Sequence, residues 1–163
     1  MMGGTTTHGL PYPLGSDRVA DGDDSIKALA EAVDTGLWPA AEQAVTMSPG
    51  YGPFGGSYPA PHANALFGGG WVKLGGMFTR AGSTLSVAAN TPYSFCTLYA
   101  GIRPAAGRDQ IFTVATGVTT TEQTARIVVA SSGVCQIVFP VAATWTQNGP
   151  GSWVSLDQIF YRK

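Results

Sequence analysis

Apolar positions along this chain change their period three times. Ile26, Leu29, Val33 and Leu37 recur at spacings of three, four and four, which places them on one stripe of a helix. Asp21 or Asp23 supplies an N-cap and suits the positive end of the helix dipole. Asp23–Lys27 and Lys27–Glu31 are favourable pairs four residues apart, and Gly36 can end the helix in the left-handed conformation. A helix of about three turns is marginal alone in water, so its stripe must be buried on its own body, on sister helices or on another protein. Before it, Pro11 and Pro13 disfavour helix and give residues 1–20 the character of an extended arm.

From Trp71 onward the period is that of strands. Candidates are Trp71–Thr79, Thr84–Ala88, Tyr93–Ala100, Gln110–Thr116, Thr124–Ala130, Cys135–Pro140 and Ser152–Tyr161, with Ser131-Ser132-Gly133 as a short hairpin turn. Between helix and strands, residues 48–70 hold seven Gly and four Pro, a composition that predicts neither helix nor regular strand. Tyr51, Phe54, Tyr58 and Phe67 make this segment an extended one clasped against a surface rather than a free linker. The expected fold is therefore mostly β: an N-terminal arm with one short helix over 1–47, a Gly/Pro/aromatic linker over 48–70, and an antiparallel β domain, a sandwich or small barrel, over 71–163.

Composition agrees with turns and strands. Gly is 22 and Pro 11 of 163 residues, and charged residues are only 12%, too few for a helical bundle. A surface so poor in charge is best covered in part by copies of the same chain or by partners. Charge is unevenly placed. Residues 1–42 carry seven acids and two bases, whereas residues 43–163 carry three acids and seven bases. The net charge of −1 carries no nucleic-acid signature. Cys96 and Cys135 lie in apolar strand contexts and are expected as buried free thiols. No secretory leader is expected in MMGGTTTHGL, and no apolar run reaches the roughly 20 residues of a membrane helix.

Catalytic patterns are incomplete. No Asp or Glu falls between Glu42 and Asp109, so paired carboxylates within the body could come only from Asp109, Glu122 and Asp157. Gly55-Gly56-Ser57-Tyr58-Pro59 has Pro where a nucleophile elbow needs Gly, and after Gly70 and Gly75 a P-loop would need Lys where Gly76 stands. His8 and His62 have no Cys, Asp or Glu at ligand spacing. No enzyme, metal or cofactor is expected.

Two stretches carry a family likeness. Leu98-Tyr99-Ala100-Gly101-Ile102-Arg103-Pro104-Ala105-Ala106, followed by Asp109-Gln110-Ile111-Phe112-Thr113-Val114-Ala115, resembles the "LPAGYRPA…xxFxVA" run of tailed-phage fibre proteins. Gly151-Ser152-Trp153-Val154-Ser155-Leu156-Asp157-Gln158-Ile159-Phe160-Tyr161-Arg162 resembles their closing "GxWVSLDGIxFR" strand, with Gln158 in place of the usual Gly. The head, from Thr5-Thr6-Thr7-His8-Gly9-Leu10-Pro11-Tyr12-Pro13 to Ala30, is similar to the opening of minor tail or fibre proteins of actinobacterial phages.

The resemblance implies a virion fibre or spike subunit, a homotrimer whose N-terminal attachment arm docks on other virion proteins and whose antiparallel, jelly-roll-like β-sandwich knob is presented to host cell-wall glycan. Leu10, Tyr12, Ile26, Leu29, Val33 and Leu37 become the expected attachment and oligomerisation residues. Aromatic faces suit sugar recognition, and Tyr93, Tyr99, Trp145, Trp153 and Tyr161 are candidates. Trp145 and Asn148, in the polar loop Thr144–Gly151, stand foremost among the expected contacts, with Tyr99 and Trp153 beside them. An architectural capsid decoration is the alternative. A polysaccharide-degrading enzyme is disfavoured by the missing carboxylate pair.

Overall fold

The computed structural model describes residues 4–5, 11–12, 24, 26–31, 33, 42–66, 70–119, 123–147 and 151–163. Strands β1 (Gly4–Thr5) and β2 (Pro11–Tyr12) pair with each other in the arm, and helix α1 comprises 24, 26–31 and 33 among the described residues. Then follow β3 (Gln43–Ala44), β4 (Thr46–Met47), β5 (Tyr51–Pro53), β6 (His62–Leu66), β7 (Trp71–Gly75), β8 (Met77–Arg80), β9 (Leu85–Val87) and β10 (Pro92–Thr97). After a 3-10 turn, η1 (Ala100–Ile102), come β11 (Gln110–Ala115), β12 (Thr124–Val129), β13 (Val134–Val138), β14 (Ala143–Trp145), β15 (Trp153–Ser155) and β16 (Phe160–Arg162).

Every pairing is antiparallel. One sheet has the order β11-β12-β13-β10-β4. Facing it are β16-β7-β6-β3 and β15-β8-β5, which share the continuous course of β7 into β8, and the long-range two-stranded pair β14-β9. The result is a β-sandwich, as the alternating pattern predicts. Inward residues of each strand are the apolar ones: Val72 and Leu74 on β7, Phe95 on β10, Ala125, Ile127 and Val129 on β12, and Ile137 on β13 are all buried.

The layers meet through aromatic rings. Phe78 of β8 stacks on Phe95 of β10, with ring centroids 4.4 Å apart and planes 11° from parallel. Trp145 of β14 closes over them, 5.8 Å from Phe78, 5.4 Å from Phe139 and 5.5 Å from Tyr51. Such contacts add to the burial of large rings, the main stabilising term in a core of this size. A buried polar seam lies beside the rings. The indole Nε1 of Trp145 donates to Ser152 O at 3.2 Å, Thr79 Oγ1 donates to the same carbonyl at 2.5 Å, and Ser152 Oγ donates to Thr146 O.

Three element expectations are corrected. Residues 48–70 supply two strands, β5 and β6. The segment His62-Ala63-Asn64-Ala65-Leu66 contains no Gly or Pro, and Pro53 is tolerated because β5 is the outer strand of its sheet. Residues 43–47, assigned to the arm, form β3 and β4 on the sandwich sheets. The two long candidates Trp71–Thr79 and Ser152–Tyr161 are each broken in the middle, into β7 and β8 and into β15 and β16.

Those breaks are one corner. Gly76 has φ of +87°, its N–H donates to Asp157 Oδ1 at 2.8 Å, and its carbonyl accepts from Leu156 N at 2.9 Å. A Cβ there would lie 2.3 Å from Ala60 O, so both the conformation and the space demand glycine. The Ser-Leu-Asp turn thus fastens the bend between β7 and β8. Two further turns follow the sequence pattern: Gly133 at φ +92° closes the β12–β13 hairpin, and Arg103 Nε donates to Leu98 O at 2.9 Å across η1.

Cys96 and Cys135 are free, buried and partners across β10 and β13. The hydrogen bond with the Cys135 thiol, and then burial, push the Cys96 thiol far above its ordinary value. Burial, reinforced by the neighbouring thiols, likewise raises Tyr161.

Two outcomes follow for stability. Gly76→Ala will lower the unfolding free energy by roughly 3 kcal/mol, through a strained positive φ and a backbone clash. Urea unfolding checks this, and an unchanged midpoint contradicts the corner. For Cys96 the native thiol keeps its proton while the unfolded one loses it above about pH 8.5, so stability is full below that pH and falls as pH rises beyond it. The urea midpoint will drop between about pH 8.5 and 10, and Cys96→Ala will flatten that drop; a wild-type midpoint constant over the window contradicts the shift.

Candidate functional site

The expected contact residues are scattered rather than convergent. Trp145 has 0% of its surface exposed, so the exposed recognition loop assigned to it is corrected: residues 143–145 are strand β14, paired with β9, and the indole fills the centre of the core. A ring that large in a polar segment finds its place because Ser152 O takes its N–H. Tyr161 is buried as well, its hydroxyl donating to Ile102 O at 2.5 Å. That bond ties the two stretches of family likeness to each other. Tyr93 is half-buried and its hydroxyl accepts from Ala88 N at 2.8 Å. Trp153 is half-buried on β15, with its carbonyl accepting from Thr116 Oγ1 at 2.8 Å. Asn148 lies outside the described residues.

Tyr99 remains at the surface, 42% exposed, on a cleft of about 280 Å³ between the two sheets. Val45, Thr97, Leu98 and Arg103 line the same cleft. No acid or base pair faces it.

Of the attachment residues, Ile26 is 62% exposed, Val33 is exposed and Leu29 is half-buried on α1. Tyr12 is in β2, while Leu10 and Leu37 lie outside the described residues. His62 has its Nδ1 2.9 Å from Ala60 O and its Nε2 3.6 Å from Glu42, so both nitrogens already face neighbours. Among the described residues no three His, Cys, Asp or Glu side chains converge as a metal site would require, and no helix is long and apolar enough to cross a membrane.

One surface stands apart, and the sequence reading passed over it. Trp71 and Phe160 stack with centroids 4.9 Å apart and planes 8° from parallel, while 38% and 43% of their surfaces remain exposed. Their cross-strand partners on β7 and β16 are Arg162, opposite Trp71, and Lys73, opposite Phe160. All four point outward because Val72, Leu74 and Tyr161 between them point in. The alternation Trp-Val-Lys-Leu was the available signal. Arg162 also lines a cavity of about 400 Å³ with Ala105, Arg108, Gln110 and Lys163.

No family model matches the chain, and no curated protein sequence does. Among solved structures, the chain is similar to the receptor binding protein (gp15) of Listeria phage PSA, with a TM-score of 0.59 and 19% identity. The alignment covers 90% of this chain and 80% of that one. At this identity what the two share is the fold.

Trp145→Ala will cost about 3–5 kcal/mol of stability, the amount typical of emptying a buried aromatic site. Thermal or urea unfolding measures it, and a loss under about 1 kcal/mol would return Trp145 to the surface.

Proposed function

We propose that this chain is a bacteriophage virion protein, a short fibre, spike or minor tail subunit that docks by its N-terminal segment and presents its β-sandwich to the host surface. The fold it shares along nine-tenths of its length with a phage receptor binding protein carries this reading. The head and closing-strand resemblances support it independently, since they come from residue order rather than from backbone shape.

The arrangement of apolar groups suits the same role. The sandwich closes its own core, whereas α1 leaves Ile26 and Val33 uncovered. An amphipathic helix with an open stripe is a docking element, here for other virion proteins or for sister helices in a homotrimer. A trimer also shelters strand edges from uncontrolled pairing. Host adhesion through glycan falls to the exposed faces of the knob, with Tyr99 and the half-buried Trp153 retained as contacts and Trp145 removed.

Deleting residues 1–40 spares every strand of the sandwich, beginning at β3. The truncated protein will keep its β-type circular dichroism and cooperative melting but will be missing from purified particles. Normal incorporation of the truncation would refute the docking assignment.

A further inference from the structure

We propose that the meeting edges of β11 and β16 form a binding site for an anionic carbohydrate polymer, one whose phosphate, sulfate or carboxylate groups enter the Arg108–Arg162–Lys163 cavity while its sugar rings lie on Trp71 and Phe160. The choice of carbohydrate rests on the adhesion role proposed above. The charge and the shape come from the site itself.

β11 and β16 are the outer strands of their sheets. Between them opens the cavity of about 400 Å³, lined by Ala105, Arg108, Gln110, Arg162 and Lys163. Three cations and one amide converge there, and no carboxylate side chain is among them. Among the described residues none of the three is ion-paired; the ion pairs are Lys27–Glu31 and His62–Glu42. The neighbouring Asp109 is not among the lining residues, and its Oδ1 accepts from Ser131 N at 2.8 Å. Lys163 Nζ is held by Gly101 O at 2.8 Å, which fixes that charge near the cavity. Like charges on neighbouring side chains repel one another, and an anionic ligand relieves that repulsion.

The aromatic pair continues the site. Arg162 is directly opposite Trp71, where Cβ atoms of an antiparallel pair lie roughly 5 Å apart. Lys73 flanks Phe160 at the other end of the stack. Trp71 and Phe160 hold one diagonal of this two-by-two patch and Arg162 and Lys73 the other, so charged and flat apolar groups alternate around it. A polymer that alternates anionic groups with the C–H faces of sugar rings matches it, and guanidinium forks suit the anions. A neutral glycan leaves the three cations unpaired.

Sulfated dextran, neutral dextran of equal length, inorganic phosphate and a single-stranded oligonucleotide are the probes, titrated against the full-length protein by calorimetry and Trp fluorescence. Sulfated dextran will bind, weakening steeply with added salt, while neutral dextran will bind at least about tenfold more weakly. The double variant Arg108→Gln/Arg162→Gln will lose about tenfold or more in affinity for sulfated dextran with its melting temperature unchanged. Trp71→Ala will lower that affinity without altering the weak binding of inorganic phosphate, which reads the cavity alone. Equal affinity of wild type and double variant, or no preference for sulfated over neutral dextran, overturns the site. Tighter binding of the oligonucleotide, or competition by a peptide of residues 17–31 from the acidic head, assigns the surface to a different occupant and overturns it too. Incorporation into particles separates the two readings: a double variant that enters particles normally yet shows no polyanion defect removes this site and leaves the virion role, whereas wild-type protein absent from particles removes the virion role.

Discussion

The Phe78–Phe95 stack, capped by Trp145, is the contact on which the rest of the molecule depends. It is where the two layers touch, and it sets their spacing. The proposed ligand surface sits on the outer strands of those layers, so it is only as well placed as this joint. The seam of Thr79, Ser152 and Trp145 fixes the joint in register, because Ser152 O accepts from both Thr79 Oγ1 and Trp145 Nε1 and so ties β8, β14 and the start of β15 together. The Gly76–Asp157 corner then bends the facing sheet, turning Trp71 and Phe160 to the outside while Val72 and Tyr161 stay within.

A core closed in this way leaves a remainder. With 12% charged residues, the chain cannot clothe its exterior in charge. Ile26, Ile111, Tyr58, Tyr99, Trp71 and Phe160 all stay exposed. Single exposed apolar residues are ordinary, but a helix with an open stripe and a stacked aromatic pair between cations are not scattered singles. The proposed virion role gives each a use: the stripe for assembly, the aromatic row for an outside ligand. The separation of charge, acidic before residue 43 and basic after it, follows the same division of labour.

Much of the fold was legible in the sequence, for reasons specific to its residues. Alternation over Gln110–Ala115, Thr124–Val129 and Val134–Val138 gave three strands of the five-stranded layer to within about two residues, because these strands are half-buried and carry clean two-residue periods, whereas β4 of the same layer was missed. The breaks at Gly76 and between β15 and β16 were invisible, since a corner leaves alternation intact on both sides and depends on a distant carboxylate. β6 was hidden by the glycines and prolines around His62–Leu66. The site was less legible than the fold. A tryptophan between polar neighbours looks exposed until Ser152, seven residues away, is seen to take its N–H. The cationic cavity draws Arg108 from the loop before β11 and Arg162 from β16, far apart in sequence, and only the meeting of two sheet edges brings them together.

The central claim is that the sandwich closes its own core while the open stripe of the head helix is covered by sister chains. Sedimentation equilibrium of the full-length protein at micromolar concentration tests this most directly. The account predicts a single species with three times the mass of one chain. A stable species with the mass of one chain would contradict it.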